Sequence, residues 1–276
     1  MSQNPLQQFF RQPKIFVGLP SKGMFNKPGT LQGDTDNMPI YGMSGMDEIL
    51  IRTPDALLAG ESTVKVIESC CPTIKDGWEV ISLDVELLLV AVRIATYGNT
   101  FDVDHKCSKC GHEAEYGLNL NQIIDHYTNL TYNNKIVLKD YVIKTQPLTY
   151  RQTTEFSLQN FKLQQQLVQA EANDNPDEKN KIVSDVFKSV GLLQNKVFAA
   201  NVESVEIGGN VVVNERAYIE EWISNADKSV FDKIKEHVTK NRDVWDMPSQ
   251  KVACVECQHI DSVFISMDQS SFFASA

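Results

Sequence analysis

HKCSKCGHE at residues 105–113 and VACVECQHI at residues 252–260 are the two stretches that decide how this chain folds. Each carries a cysteine pair with two residues between its members, Cys107 with Cys110 and Cys254 with Cys257. That spacing makes a knuckle tight enough for both sulfurs to face one ion. Two knuckles complete a tetrahedral four-thiolate shell with Zn–S bonds of roughly 2.3 Å. Gly111 directly after Cys110 suits the left-handed backbone that a knuckle commonly needs there. Gln258 stands at the same place in the second knuckle and departs from that preference. β-forming residues alternate on either side of each pair, as in a zinc ribbon. The pairs lie far beyond the roughly 15–20 residues that separate them in compact sites. The ribbon halves therefore come from distant parts of the chain, and binding a metal becomes part of the folding free energy.

The same four thiolates also suit an iron–sulfur centre. A redox role fits less well, because neither pair opens a helix after a strand. A catalytic zinc would need an open coordination position, which four thiolates do not leave. Zinc held structurally by Cys107, Cys110, Cys254 and Cys257 is the expectation taken forward. His105, His112 and His259 lie beside the knuckles and read as surface or supporting residues. Cys70 and Cys71 are adjacent within a helix, point in different directions, and read as buried thiols.

Around these pairs the 276 residues are ordinary for a globular chain, with 42% hydrophobic and 22% charged side chains. A formal charge of −10, from 36 acidic and 26 basic residues, argues against nucleic acid, which selects basic surfaces. Lys106 and Lys109 at the first knuckle are the feature that favours the alternative, a nucleic-acid-binding regulatory zinc ribbon; Glu256 in the second knuckle opposes it. No stretch approaches the roughly 18 apolar residues of a membrane span. The opening MSQNPLQQFFRQPK lacks the apolar core of a signal peptide, so a cytoplasm with reduced thiols is expected. No nucleophile elbow, zinc-protease helix, Walker loop or dinucleotide fingerprint is present, so neither an enzyme nor a small-molecule substrate is indicated.

Along the chain, residues 1–13 read as a flexible arm and 14–45 as turns and short strands. Ser21-Lys22-Gly23 lacks the glycine-rich loop of a phosphate cradle. Thr53-Pro54-Asp55 predicts a helix start, with a buried face through Leu57, Gly60, Val64, Ile67 and Cys71. A second helix, from about Asp84 to Tyr97, carries the run LLLVAV and stops at Gly98. Strands are expected at 100–104 and 113–120, and strand pairing at 135–144. Helices at 149–172 and 181–201 are expected to form an antiparallel hairpin, followed by a β-hairpin turning on Gly208-Gly209-Asn210. Two further helices follow at 215–224 and 226–241, then a strand at 262–267 and a tail, FFASA, expected to fray. The fold class is thus α+β: a helical core, short β-hairpins and a discontinuous zinc-ribbon-like site. Its parts are the arm 1–13, a core 14–145 with the first knuckle, a mainly helical insertion 146–245, and a closing segment 246–276 that packs on the core.

LPSKGMFN (19–26), MSGMDEILIRTPDALLAGESTVKVIESCCPTIKD (43–76), LDVELLLVAVRIATYGN (83–99) and CSKCGHE (107–113), in that order, resemble the baseplate hub assembly proteins of T-even-like tailed bacteriophages. The resemblance covers residues 15–120 and the closing CVEC. It implies a non-enzymatic role as hub assembly factor or minor hub component. It also implies partners among other baseplate or hub proteins, and a location in the host cytoplasm during tail assembly or in the virion baseplate. The turn-rich start, with Phe16, Met24 and Phe25, is the expected docking region, and deleting residues 1–30 is expected to spare the fold.

Overall fold

In the computed structural model, which describes residues 5–53, 60–172, 175–265 and 272–273, the chain divides into two units. Met1–Thr131 with Trp245–Ala276 forms the first, and Tyr132–Val244 the second. Helices and short antiparallel sheets are mixed in both.

In the first unit β1 (Pro13–Val17) and β2 (Met38–Tyr41) pair antiparallel, with Ile15 opposite Ile40 and Val17 opposite Met38. Ser44 then starts α1 (Gly45–Ile51) with a capping box: its hydroxyl accepts the Asp47 N–H, and the Asp47 carboxylate accepts the Ser44 N–H at 2.8 Å. α2 (Glu61–Cys70) follows, then α3 (Ser82–Tyr97), whose LLLVAV run is buried on every side. α3 ends at Gly98 with φ +96°, a conformation open to glycine. β3 (Thr100–Lys106) and β4 (Glu113–Asn119) form the hairpin of the first knuckle, and α4 (Asn121–Thr128) closes this stretch.

Several expectations for this unit need correction. The helix expected to run from Thr53 to Cys71 is broken at Gly60, where φ is +73°, and α2 begins at Glu61. The Thr53 hydroxyl reaches back to the Ile49 carbonyl at 3.0 Å, and residues 54–59 lie outside the described residues. Seven-residue α1, too short to show a periodic face, was not expected as a helix. The beginning of the chain is tied down as well: Arg11 donates to Gly42 O (2.8 Å), Asp47 Oδ2 (3.1 Å) and both Ser69 O and Oγ (2.7 Å each). The tail does not fray at Phe272 and Phe273, which are fully buried. Arg93 donates to Phe272 O at 2.7 Å and lies over the Tyr97, Phe101 and Phe272 rings, while the Tyr97 hydroxyl donates to Phe273 O at 3.2 Å.

The LPSKG segment is part of this core. Ser21 is buried, its N–H and hydroxyl donating to the two carboxylate oxygens of Asp84 at 3.0 and 2.5 Å. The N–H groups of Lys22, Gly23 and Met24 go to Leu19 O, Ser21 Oγ and Ser21 O, so none is left to cradle a phosphate. Val17, Leu19, Ser21 and Thr30 are all buried, which overturns the expectation that residues 1–30 are dispensable for folding.

The second unit carries a four-stranded antiparallel sheet in the order β5 (Lys135–Val137), β6 (Tyr141–Thr145), β7 (Val202–Ile207), β8 (Val211–Val213). Between β6 and β7 the chain makes the helical hairpin α5 (Tyr150–Glu171) and α6 (Pro176–Ala200). Thr149 caps α5 by a capping box. Asn175 caps α6, and Pro176 occupies its first position, so this helix starts five residues before the expected 181. α7 (Arg216–Asn225) and α8 (Lys228–Trp245) follow the β7–β8 hairpin. Ile143, Val205, Ile219, Ile223 and Ile234 form the core between sheet and helices.

The chain then pairs β9 (Gln250–Ala253) with β10 (Ile260–Val263), Ala253 opposite Ile260, in the hairpin of the second knuckle. This last strand was expected at 262–267, but it begins two residues earlier and ends at Val263; residues 266–271 lie outside the described residues.

Candidate metal centre

Both knuckles have the same backbone. In the first, Cys107 N–H donates to His112 O (2.8 Å) and Gly111 N–H to Cys107 O (2.9 Å). In the second, Cys254 N–H donates to His259 O (2.8 Å) and Gln258 N–H to Cys254 O (3.0 Å). The left-handed residue is Gly111 at φ +74° and Gln258 at φ +56°. The geometry is thus required in both halves, and Gln258 adopts it at a cost of roughly 1–2 kcal/mol.

The two turns bring the four sulfurs of Cys107, Cys110, Cys254 and Cys257 within 4.8 Å of one another. Cys107 lies 3.7 Å from Cys257 and Cys110 lies 3.6 Å from Cys254, and all four are free thiols. Four sulfurs at roughly 2.3 Å from a central ion sit about 3.8 Å apart in a tetrahedron. The cluster therefore has the dimensions of a tetrathiolate site and can bind a metal.

The family described as T4 bacteriophage base plate protein matches residues 46–274. The chain belongs to this family. No curated protein and no solved structure matches it. It is a T4-like phage base plate protein, and its role is a structural one related to the baseplate.

Sequence reasoning missed the residue that joins the halves of this base plate protein's cysteine cluster. Asp261, on β10, accepts from Ser108 Oγ (2.5 Å), Ser108 N–H (3.0 Å) and His105 Nε2 (3.1 Å), all from the first half. The Ser108 hydroxyl and N–H, with His105, hold its carboxyl well below the usual carboxylate range. An aspartate four residues after a cysteine pair gives no signal of its own; only the folded register places it there.

The sulfurs are unlike one another. Backbone N–H groups of Cys257 and Glu256 aim at Cys254 and, with the Cys110 and Cys107 thiols, bring it down to about 6 despite burial. Cys110 also receives an N–H, from His112, but the neighbouring Cys257, Cys254 and Cys107 sulfurs, together with some loss of hydration, push it up to about 12. Without a cation the cluster favours one thiolate among thiols; a divalent ion favours four. Tyr116 adds a buried hydroxyl with no partner among the described residues, next to Cys254 and the Val255 N–H.

Cys70 and Cys71 stay apart from this centre. Both are fully buried, and burial raises both thiols, which keeps them unreactive. Among the described residues no helix is long and apolar enough to cross a membrane.

Proposed function

We propose that this base plate protein is a non-enzymatic hub assembly factor or minor hub component that works by protein–protein contact. Cys107, Cys110, Cys254 and Cys257 hold one structural zinc that closes its first unit. Family membership over residues 46–274 supports the assembly role, and the metal reading rests on the four sulfurs within 4.8 Å. The donor set fits: four soft thiolates at tetrahedral spacing, N–H groups aimed at Cys254 and Cys110, and the Tyr116 hydroxyl positioned to donate to a metal-bound sulfur. The ion ties β3–β4 to β9–β10 and fills all four positions with protein sulfur, which suits a structural role.

The docking region is the start of the chain. Leu6, Phe9 and Phe10 are exposed, as are Phe16 on β1 and Met24 in the loop beyond it. Apolar groups on one short segment, held by the Arg11 anchor, suit contact with another baseplate protein. The nucleic-acid alternative is weakened by charge. Lys106 is paired with Glu113 at 3.0 Å, and the exposed side of β3–β4 also carries Asp102, Asp104 and Glu115.

Tagged protein isolated from infected cells tests both parts. One zinc per chain is expected by elemental analysis of the same sample that co-purifies with hub components. Removing residues 1–10, which spares Arg11, is expected to abolish co-purification without changing zinc content. Iron, or no metal in fully reduced protein, would refute the metal assignment; undiminished capture by the truncated chain would refute the docking region.

A further inference from the structure

On one side of the helical hairpin in the second unit, α5, α6 and α8 together line a groove of about 440 Å³. Phe156 from α5, Leu193, Val197 and Phe198 from α6, and Phe231 from α8 make it largely apolar. Phe198 and Phe231 meet edge to face at 5.2 Å, which joins α8 to the hairpin there. Ser157 and Gln194 also belong to the lining, and from them the line of the groove continues toward the tip of the hairpin. Phe161 follows Ser157 by four residues, Val168 follows Phe161 by seven, and Phe187 precedes Gln194 by seven. Such spacings keep to one face of each helix. All three side chains are open to solvent, at 48%, 67% and 64%. Along α5, the stretch from Thr153 to Val168 is about 22 Å, or roughly four turns.

Charge selects the occupant. The charged residues of the lining are Lys235 and Arg242, both on α8, and among the described residues no carboxylate lines the groove. Lys235 is exposed and enters no ion pair among the described residues; Asp232, one turn before it, is held by Lys228 at 2.5 Å. Arg242 pairs with its sequence neighbour Asp243 at 3.3 Å, and both side chains stay more than half in water. On a chain of net charge −10, two cations beside an apolar trough reverse the sign of the surrounding surface. Such a trough attracts carboxylates and repels a basic segment. Its walls are three helices, so a further helix packs into it, ridges into grooves.

We propose that this groove seats an acidic amphipathic helix of another protein. Its apolar face lies along Phe156, Phe198, Phe161 and Phe187, and carboxylates at one end meet Lys235 and Arg242. Apolar residues at helical spacing supply the affinity, and the two cations select the charge and fix which end of the helix lies at α8. The site lies wholly within the second unit. It rests neither on the metal centre nor on docking through the start of the chain, so its failure leaves the proposed function as it stands.

Fluorescence anisotropy with the full-length protein at physiological salt tests this. The probe is a labelled helical peptide of about four turns, with leucines along one face, glutamates beside them in one half and glutamine elsewhere. Its comparators carry lysine in place of glutamate, or a central proline, or the same residues shuffled so that the leucines share no face. Saturable binding of the acidic peptide is expected, with each comparator at least tenfold weaker. Preference for the acidic peptide runs against the protein's net charge, so general electrostatic attraction cannot produce it. Phe161→Ser and Lys235→Glu, both at exposed positions, are each expected to weaken binding at least fivefold, and Lys235→Glu also to strengthen binding of the lysine peptide. Lys162→Glu, in a different cleft of the hairpin, is expected to leave binding unchanged. Equal or tighter binding of the lysine peptide to the wild type, equal loss with Lys162→Glu, or no saturable binding of the acidic peptide would overturn the proposal. Self-association that Phe161→Ser abolishes, with no peptide bound, would also overturn it and make a second copy the occupant.

Discussion

Replacing Asp84 by asparagine is expected to change the pH dependence of stability in a way the structure fixes in sign and size. Asp84 sits in the first turn of α3, wholly buried, accepting from Ser21 N–H at 3.0 Å and Ser21 Oγ at 2.5 Å. Burial raises its carboxyl from 3.8 to about 7, against the pull of the two Ser21 hydrogen bonds. A carboxyl raised in the folded state binds its proton more tightly there than in the unfolded chain. Its contribution is therefore complete below the unfolded value and is lost as the pH rises toward 7. At 1.36 kcal/mol per unit, the full effect is on the order of 4 kcal/mol. About 2.5 kcal/mol of that falls between pH 5 and 8. Asparagine keeps an acceptor for the Ser21 N–H and does not titrate.

The measurement is hydrogen exchange of α3 amides at several pH values, corrected for intrinsic rates, in wild type and Asp84→Asn. Wild-type protection is expected to fall relative to the variant by roughly two decades from pH 5 to 8, since 1.36 kcal/mol is a factor of ten. Parallel curves for the two proteins would mean that Asp84 is not a protonated buried group near neutrality. Wild type gaining on the variant as pH rises would reverse the sign and refute the reasoning outright.

Removing Asp261, the clasp between knuckles, by Asp261→Ala is expected to weaken metal retention roughly 10–100-fold while leaving all four thiolates, as loss of supporting groups around a metal does; competition with a chromophoric chelator reads it, and unchanged retention would count against the clasp. Arg93→Met leaves the Phe272 carbonyl buried without its donor and removes the stack on Phe101, so a loss of about 2–3 kcal/mol is expected in chemical denaturation. Ending the chain at Ser249 removes β9, β10 and Phe272–Phe273 together; the first unit is expected to lose exchange protection while the amides of β6 and β7 keep theirs, and equal loss in both would contradict the division into two units.

Features set by neighbouring residues were legible in the sequence. The buried helix with its Gly98 stop, the turn at Gly208-Gly209-Asn210 and the two cysteine knuckles all follow from local pattern and appear in the fold. A turn inside an expected helix is harder to read: Gly60, placed on the apolar face of a helix running to Cys71, takes φ +73° instead, and α2 begins after it. Long-range contacts leave no trace in the sequence at all. Arg93 is a charge on a core helix, and only the folded chain shows its partner, a carbonyl 179 residues away. Asp261, Arg11 and the buried tail belong to the same class. Gln258 shows the opposite case: a residue that departs from the expected glycine still takes the left-handed turn, because the second knuckle is fixed by its own hydrogen bonds.

The separation between knuckles also sets an order of events. Cys110 and Cys254 are 144 residues apart, and everything from Tyr132 to Val244 between them forms its own unit with its own core. Closing so long a gap is thermodynamically mild, since loop entropy grows only with the logarithm of length. Its consequence is in time. At roughly 5–20 residues per second, the second cysteine pair emerges about 7–30 s after the first. During that interval the first unit lacks half its sulfurs, the Asp261 clasp and the Phe272 plug over Arg93, whereas the second unit is complete in sequence. The contiguous unit is therefore expected to fold first and the cysteine cluster to close last, after the segment from Trp245 onward has returned to the surface left by α3 and β3–β4; pulse-labelled hydrogen exchange during refolding checks it, and protection of β3–β4 before β6–β7 would refute it.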